Sequence, residues 1–240
     1  MIDLLRINEK NQTLATCVSQ PVFIFSVLAV FVFNVSAWWL LLTFLVYMGM
    51  QISITVGCHR LFTHRTFHCN RFWHYVFSYF TVITWQASTI SWVNVHYNHH
   101  LHSDTDQDPH ITSWDFLIKK RYKSLSGKYS RVVANMAKDP MHLFFHNYSL
   151  PIIFGTGLVL YIIDPLAMIY GLIAPMGYYF ITSGFHQILS HRNGAPRNLF
   201  MLEFILPMGE WIHADHHKDS SKWDFGKWDI GTYLIRLIKT

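Results

Sequence analysis

The chain has 240 residues, of which 51% are hydrophobic, 17% aromatic and 14% charged, and it carries 16 histidines against 14 acidic residues. Soluble domains average about 25% charged residues, so a fully water-exposed globule is excluded, and the aromatic content with low charge excludes intrinsic disorder. The formal charge of +5 does not mark nucleic-acid binding, because the basic residues flank apolar blocks instead of forming one patch.

In chain order, residues 1–20 are mixed polar and lack the short apolar run and cleavage site of a secretory signal. Residues 21–57 are almost wholly apolar, inside an interval (11–59) without Lys or Arg. As one helix this block would measure about 55 Å, nearly twice the roughly 30 Å hydrocarbon core. It therefore predicts two spans, 21–35 and 38–57, joined by a turn at 34–37, with Trp38 and Trp39 at the far interface. The next apolar stretch, 72–93, is interrupted by His74, Ser78, Thr81, Thr84, Gln86, Ser88, Thr89 and Ser91. It reads as an amphipathic segment lying at the membrane interface.

A second interval without Lys or Arg, 139–191, repeats the first, with predicted spans 150–163 and 166–188 separated by the turn signal Asp164-Pro165. Every basic residue then falls on one face, which the positive-inside rule makes cytoplasmic. The expectation is a single domain, 1–240: an all-α, multi-pass integral membrane protein with four transmembrane helices in two hairpins. Its helical cap, 58–148 and 191–240, lies on the cytoplasmic side. Cys17, Cys58 and Cys69 form no CxxC pair and read as packed thiols.

Three histidine clusters carry the chemistry: His59 with His64, His96-x-x-His99-His100, and His213-x-x-His216-His217. In the last two, the i, i+3, i+4 spacing puts three imidazoles on one helical face, able to converge on one or two metals. The five-residue step from His59 to His64 makes those rings diverge unless the helix ends there. All three clusters lie on the cytoplasmic face by the topology above. Imidazole suits Zn, Cu, Fe and Ni alike, so ligand type does not choose the metal. Asp104, Asp106, Asp108, Glu210 and Asp215 stand close to the clusters, and metal-bound histidine commonly passes its second N–H to a carboxylate. His68, His74, His102, His110, His142, His146 and His191 read as interfacial or supporting groups.

These residues closely resemble the three histidine boxes of membrane fatty acid desaturases. The likeness lies in Gly57-Cys58-His59-Arg60-Leu61-Phe62-Thr63-His64-Arg65, in the second box running on to Asp108-Pro109-His110, and in Gly209-Glu210 ahead of the third. The Trp223-x-x-Gly226-x-Trp228 tail is similar too, and the match is strongest to the delta-9 type, including bacterial and cyanobacterial acyl-lipid enzymes. The resemblance implies two iron ions held by nine histidines. Eight are the box residues His59, His64, His96, His99, His100, His213, His216 and His217. The ninth falls on His186, in Thr182-Ser183-Gly184-Phe185-His186, with Thr182 standing where the animal enzymes have an Asn that holds a metal-bound water. Gln86 and Trp92 match positions that line the family's acyl tunnel, and Thr43 and Tyr47, deep in the second span, are candidates for its closed end.

The implied reaction is oxygen-dependent: dioxygen and two external electrons install a cis double bond, of delta-9 type, in a saturated acyl chain. Asn94-Val95 replaces the Arg-Asp pair that serves CoA binding in animal enzymes. That favours a glycerolipid-bound chain, with acyl-CoA and acyl carrier protein as alternatives. No fused His-Pro-Gly-Gly haem motif is present, so a separate ferredoxin or cytochrome b5 is the expected donor. The basic run 119–128 could dock an acidic donor or anionic lipid. Two rival readings remain: a histidine-box hydroxylase or alkane monooxygenase, and a metal transporter, which would place its ligands along a pathway within the membrane.

Overall fold

The computed structural model describes residues 9–86, 88–110, 113–119, 130–200 and 210–240. Among these residues there are only helices, turns and one isolated antiparallel bridge, Cys69 to Lys239. The basic run, apart from the backbone at Lys119, and the side chain of Glu210 lie outside the described residues.

The first helix, α1 (Glu9–Val32), passes through Pro21 instead of starting there. Proline removes one backbone donor, a loss that membrane helices tolerate when neighbours compensate. Its polar residues are absorbed into packing: Thr16, Ser19 and Ser26 are buried, and the hydroxyls of Ser19 and Ser26 donate to Ala15 O and Val22 O, each at 2.6 Å. The helix packs against α10 (Ala174–Ser190) through Gly177, where an added Cβ would stand 2.0 Å from Ser19 O. Backbone meets backbone there. Gly177→Ala is expected to cost about 1–3 kcal/mol or more, read as a lower melting temperature in detergent; an unchanged melting curve would show that the two helices do not sit this close.

After a turn in which Asn34 adopts φ +53°, α2 (Trp38–Ile52) runs directly into a π-helical segment, π1 (Ser53–Thr63). All eleven residues of π1 are buried. The stretch 72–93, expected as one segment, forms two helices, α3 (Arg71–Ile83) and α4 (Thr89–His102). The break has local causes. Thr84 turns its hydroxyl back to Thr81 O at 2.7 Å, Trp85 adopts φ +56°, and Ser88 caps the new helix by accepting from Ser91 N at 3.3 Å. α3 itself is two-faced, with Phe77, Ser78, Thr81 and Val82 buried and Phe72 and Tyr75 exposed.

The short helices α5 (Phe116–Lys119) and α6 (Arg131–Met136) follow, then α7 (Pro140–Asn147) and α8 (Ser149–Ile163), which meet at a 68° bend. Alone, the 15 residues of α8 reach about 22 Å, short of the roughly 30 Å core. After α9 (Pro165–Met168) and a second π segment, π2 (Ile169–Ile173), α10 continues the same rod. Among the described residues, three helical stretches are long and apolar enough to cross a membrane, Thr13–Val32, Trp38–Thr63 and Pro165–Ser190, or four if α7 and α8 count as one broken span.

Two more helices, α11 (His213–Lys218) and α12 (Ile230–Ile238), end the chain. Arg60 of π1 ties the C-terminal segment down. Its guanidinium reaches Asp229 Oδ2 at 2.7 Å with both side chains fully buried, and it lies 3.9 Å from the centre of the Phe225 ring. Asp229 also accepts from Gly231 N and Thr232 N, so the partner of Arg60 is the N-cap of α12. The backbone N–H groups of Gly231 and Thr232 offset part of the cost of burying this pair by bonding the Asp229 carboxylate.

Candidate metal centre

The histidines of π1, α4 and α11 meet at one place. His59, His64, His96, His100 and His216 each offer a ring nitrogen, all within 4.8 Å of one another. Their Nε2 atoms approach closely: His59 to His216 at 2.7 Å, His96 to His100 at 3.0 Å, His100 to His216 at 3.2 Å and His64 to His96 at 3.3 Å. A second group consists of His99, His191, His213 and His217, with Nε2 separations of 2.7 Å for His213–His191, 3.1 Å for His213–His217 and 3.3 Å for His99–His217. The groups are neighbours, since the rings of His100 and His217 stack at 4.5 Å.

The π segment explains how His59 and His64 share a group. In π1 the backbone closes i→i+5 bonds, including His64 N–H to His59 O at 3.0 Å. Residues five apart then lie one turn above each other, and the two rings meet edge to face at 4.9 Å. A hydroxyl supports the widened turn, as Thr63 Oγ1 donates to Cys58 O at 2.8 Å. Space is made on the other side by Gly57, where a Cβ would come 2.6 Å from Cβ of Phe77.

Burial sets the protonation state. It pushes His96, His100 and His213 far below the ordinary imidazole range, His64 to about 4, His217 to about 3 and His216 to about 2. Neighbouring imidazoles add to the effect for all of these except His64, where burial is the cause. These rings are therefore neutral at pH 7 with lone pairs free, the state that metal binding requires. Five and four convergent ring nitrogens with no thiolate fit two first-row transition ions.

Carboxylates hold the second nitrogens of two rings. His99 Nδ1 donates to both oxygens of Asp108, at 2.9 and 3.0 Å, which leaves its Nε2 lone pair facing the group. Burial raises the Asp108 carboxyl, but bonds from His99 and from the backbone N–H of His110 and Asp104 outweigh it, leaving the group below its ordinary range. His191 Nδ1 stands 3.2 Å from Asp104 Oδ1. Asp215 instead accepts from Asn198 Nδ2 at 2.9 Å.

His186, expected as the ninth member, lies in neither group. Its ring packs edge-on against His213 at 5.0 Å, and His191 takes the fourth place of the second group. The helical register decides this. His191 follows the last residue of α10, level with the boxes, whereas His186 sits more than a turn back inside the helix. That signal was available in the sequence, because Arg192 marks the end of the apolar stretch. Thr182 spends its hydroxyl on its own helix, donating to Tyr178 O at 3.0 Å. His142 and His146, read from the sequence as minor groups, brace the start of α4, with Nδ1 atoms 2.9 Å from Thr89 Oγ1 and 2.7 Å from Ser88 Oγ.

A cavity of about 90 Å³ abuts both groups, and its lining includes His59, Gln51, Gln86, Trp92, Tyr179 and His186. Gln86 Oε1 accepts from Tyr179 OH at 2.6 Å, and Trp92 stacks on His96 at 4.6 Å. Thr43 and Tyr47 are not in this lining. Thr43 donates to Tyr170 O at 2.8 Å, and Tyr47, fully buried, packs on Tyr178 at 4.1 Å. The helix that carries both reaches the cavity at Gln51, one turn nearer the histidines.

Apolar helices around a buried polyhistidine cluster fit a membrane protein with the donor set for a metal site. No protein-family profile matches the sequence. Among curated proteins, the chain is 36% identical to an sn-1 stearoyl-lipid 9-desaturase of Anabaena variabilis, over 45% of this chain and 42% of that protein. It is 29% identical to an acyl-CoA Delta(11) desaturase of Trichoplusia ni, over 84% of this chain and 64% of that protein. It is 27% identical to Delta-9 acyl-lipid desaturase 2 of Arabidopsis thaliana, over 89% and 75% respectively. The chain is thus a homologue of the acyl-lipid and acyl-CoA desaturases. It spans less than two thirds of the length of the first two relatives.

Proposed function

We propose that the chain is an oxygen-dependent fatty acyl desaturase that introduces a cis double bond, of delta-9 type, into a saturated chain. The carrying observation is the pair of imidazole groups, five and four strong, beside a cavity lined by Gln86 and Trp92. The five-histidine group would hold one iron and the four-histidine group, with His191 as its fourth member, would hold the other. Two bound irons supply the power to activate dioxygen with two external electrons and so attack an unactivated C–H bond. The overall balance is –CH2–CH2– plus O2, two electrons and two protons, giving –CH=CH– and two waters.

The chain's own residues do the rest. Asp108 and Asp104 orient His99 and His191 through their Nδ1 atoms. Trp92, stacked on His96, and the Tyr179–Gln86 bond fix the walls against which the acyl chain lies. The enclosing helices keep bulk water from the reacting carbons. The metal-binding cap faces the cytoplasm above four spans, with α7 and α8 acting as one broken crossing. The acyl chain arrives on a glycerolipid, or as an acyl-CoA or acyl carrier protein thioester, and a separate redox protein supplies the electrons.

Expression in a host lacking this activity, followed by mass spectrometry of fatty acids in each lipid class, tests the reading. New monounsaturated chains with the double bond at carbon 9 are expected. A hydroxylated acyl product would move the chain to the histidine-box hydroxylases, and metal uptake without any lipid product would favour transport.

A further inference from the structure

A recess of about 230 Å³ lies between the end of π1, the loop that follows it, α3, α6 and the start of α7, and it shares no lining residue with the cavity beside the histidine groups. Its floor is apolar, with Phe62, Phe67 and Met136 buried. Around that floor stand Arg65, His68, His74 and His142. The Phe62 ring packs edge-on against His74 at 5.3 Å and against His142 at 4.8 Å. Two of these imidazoles are therefore held by the segment that carries His59 and His64.

Donors in this recess lack acceptors. The lining holds one carboxylate, Asp139, and it is already engaged. Arg71 bonds both of its oxygens, with Nη1 2.7 Å from Oδ2, and the Met141 N–H bonds Oδ1 at 2.9 Å. Among the described residues, the Arg65 guanidinium has neither a carboxylate nor a hydrogen-bond partner. His142 is only 4% exposed; its Nδ1 meets Thr89 Oγ1 at 2.9 Å, and its Nε2 has no partner among the described residues. In the tautomer whose Nδ1 accepts from the Thr89 hydroxyl, that Nε2 is a donor. The buried Nδ1 of His74 is unpaired too. Unpaired polar groups beside apolar side chains cost free energy, and one oxyanion could bond several of them at once.

Position selects the source of the anion. Arg65 comes just after the apolar stretch Trp38–Thr63, and Asp139 just before the α7–α8 stretch that opens at Pro140. The recess thus lies where hydrocarbon gives way to headgroups. Phe72 and Tyr75, on either side of His74 in α3, are exposed, which suits contact with lipid at that level.

We propose that this recess binds the phosphate of an anionic phospholipid. Arg65, His68 and His142 bond the headgroup, and the first carbons of the lipid lie on Phe62 and Phe67. A choline or ethanolamine headgroup would set a further cation beside Arg65 and Arg71, so the class is a phospholipid without a headgroup amine. Because Phe62 belongs to π1, the bound lipid braces the segment that positions His59 and His64. The inference does not depend on the desaturase reading.

The test titrates the full chain, in a neutral detergent, with short-chain phosphatidylglycerol, short-chain phosphatidylcholine and inorganic phosphate, and reads binding by native mass spectrometry. Arg65 adopts φ +54°, a conformation that Asn tolerates. Arg65→Asn combined with His68→Gln therefore removes two exposed donors without straining the turn. The wild-type chain is expected to take up phosphatidylglycerol in preference to phosphatidylcholine and to melt at a higher temperature with it bound. The double variant is expected to bind it about tenfold more weakly. Lys218→Gln/Lys222→Gln, which removes exposed charge elsewhere, is expected to bind like the wild type. Should the double variant melt lower without lipid, Asn135→Asp, a negative charge added at an exposed position of the rim, carries the same expected loss. Equal affinity in the wild type and the rim variants, equal loss in the lysine variant, or equal uptake of the two lipids overturns the site. Inorganic phosphate bound as tightly as phosphatidylglycerol overturns the lipid and makes free phosphate the ligand.

Discussion

A His191→Ala variant is expected to form no detectable double bond and to retain about half of its bound metal, because the second group falls from four nitrogens to three and loses the ring that Asp104 orients. His186→Ala is expected to keep the full metal complement, since His186 belongs to neither convergent group and packs its ring on His213. Metal analysis of the purified variants, beside fatty acid profiles of the expressing cells, separates the two. The reverse pattern, metal lost from His186→Ala and kept in His191→Ala, would return the ninth position to His186. Changed product without changed metal in His186→Ala would instead reflect its place in the cavity wall.

The second large effect concerns acid. In the unfolded chain an imidazole titrates near 6.5, whereas in the folded, metal-free chain burial holds His64 near 4 and His216 near 2. Above about pH 6.5 both states are neutral and the difference contributes nothing. Below it, the unfolded chain binds protons that the folded chain refuses, so stability falls as pH falls. At pH 5 each such ring costs about 2 kcal/mol. Several together approach the whole 5–15 kcal/mol that holds a typical domain. Metal-stripped protein is expected to lose melting temperature steadily between about pH 6.5 and 4, and metal to delay the loss by binding only the neutral rings. A flat profile for the stripped protein over that range would mean that these rings reach solvent.

Much of this was readable from residues alone, and the unreadable part has identifiable causes. Intervals free of Lys and Arg marked the apolar helices, and the i, i+3, i+4 spacing placed three imidazoles on one face of α4. Hydropathy says nothing about a backbone that stays helical through proline, so it starts the first span at Pro21 whereas α1 begins at Glu9. The break between α3 and α4 depends on a capping serine and a left-handed Trp85, in a stretch whose many small polar residues looked like the wet face of one helix. Motif spacing points to His186, whereas the end of the apolar run points to His191, five residues further on. The second-nitrogen partners are long-range facts: Asp104 meets His191 from 87 residues away. The carboxylate of Glu210 and the basic run lie outside the described residues.

The π segment makes the centre depend on the number of residues between two points as much as on their identity. An α-helix returns to the same side after about 3.6 residues, so the same eleven residues wound as α would swing His64 around the rod, away from His59. The widened turn acts as a spacer that converts a five-residue interval into a single step along one edge. Sequence comparisons that score only which residues are present would pass a chain lacking one residue of this stretch, yet in it His59 and His64 would no longer address the same point.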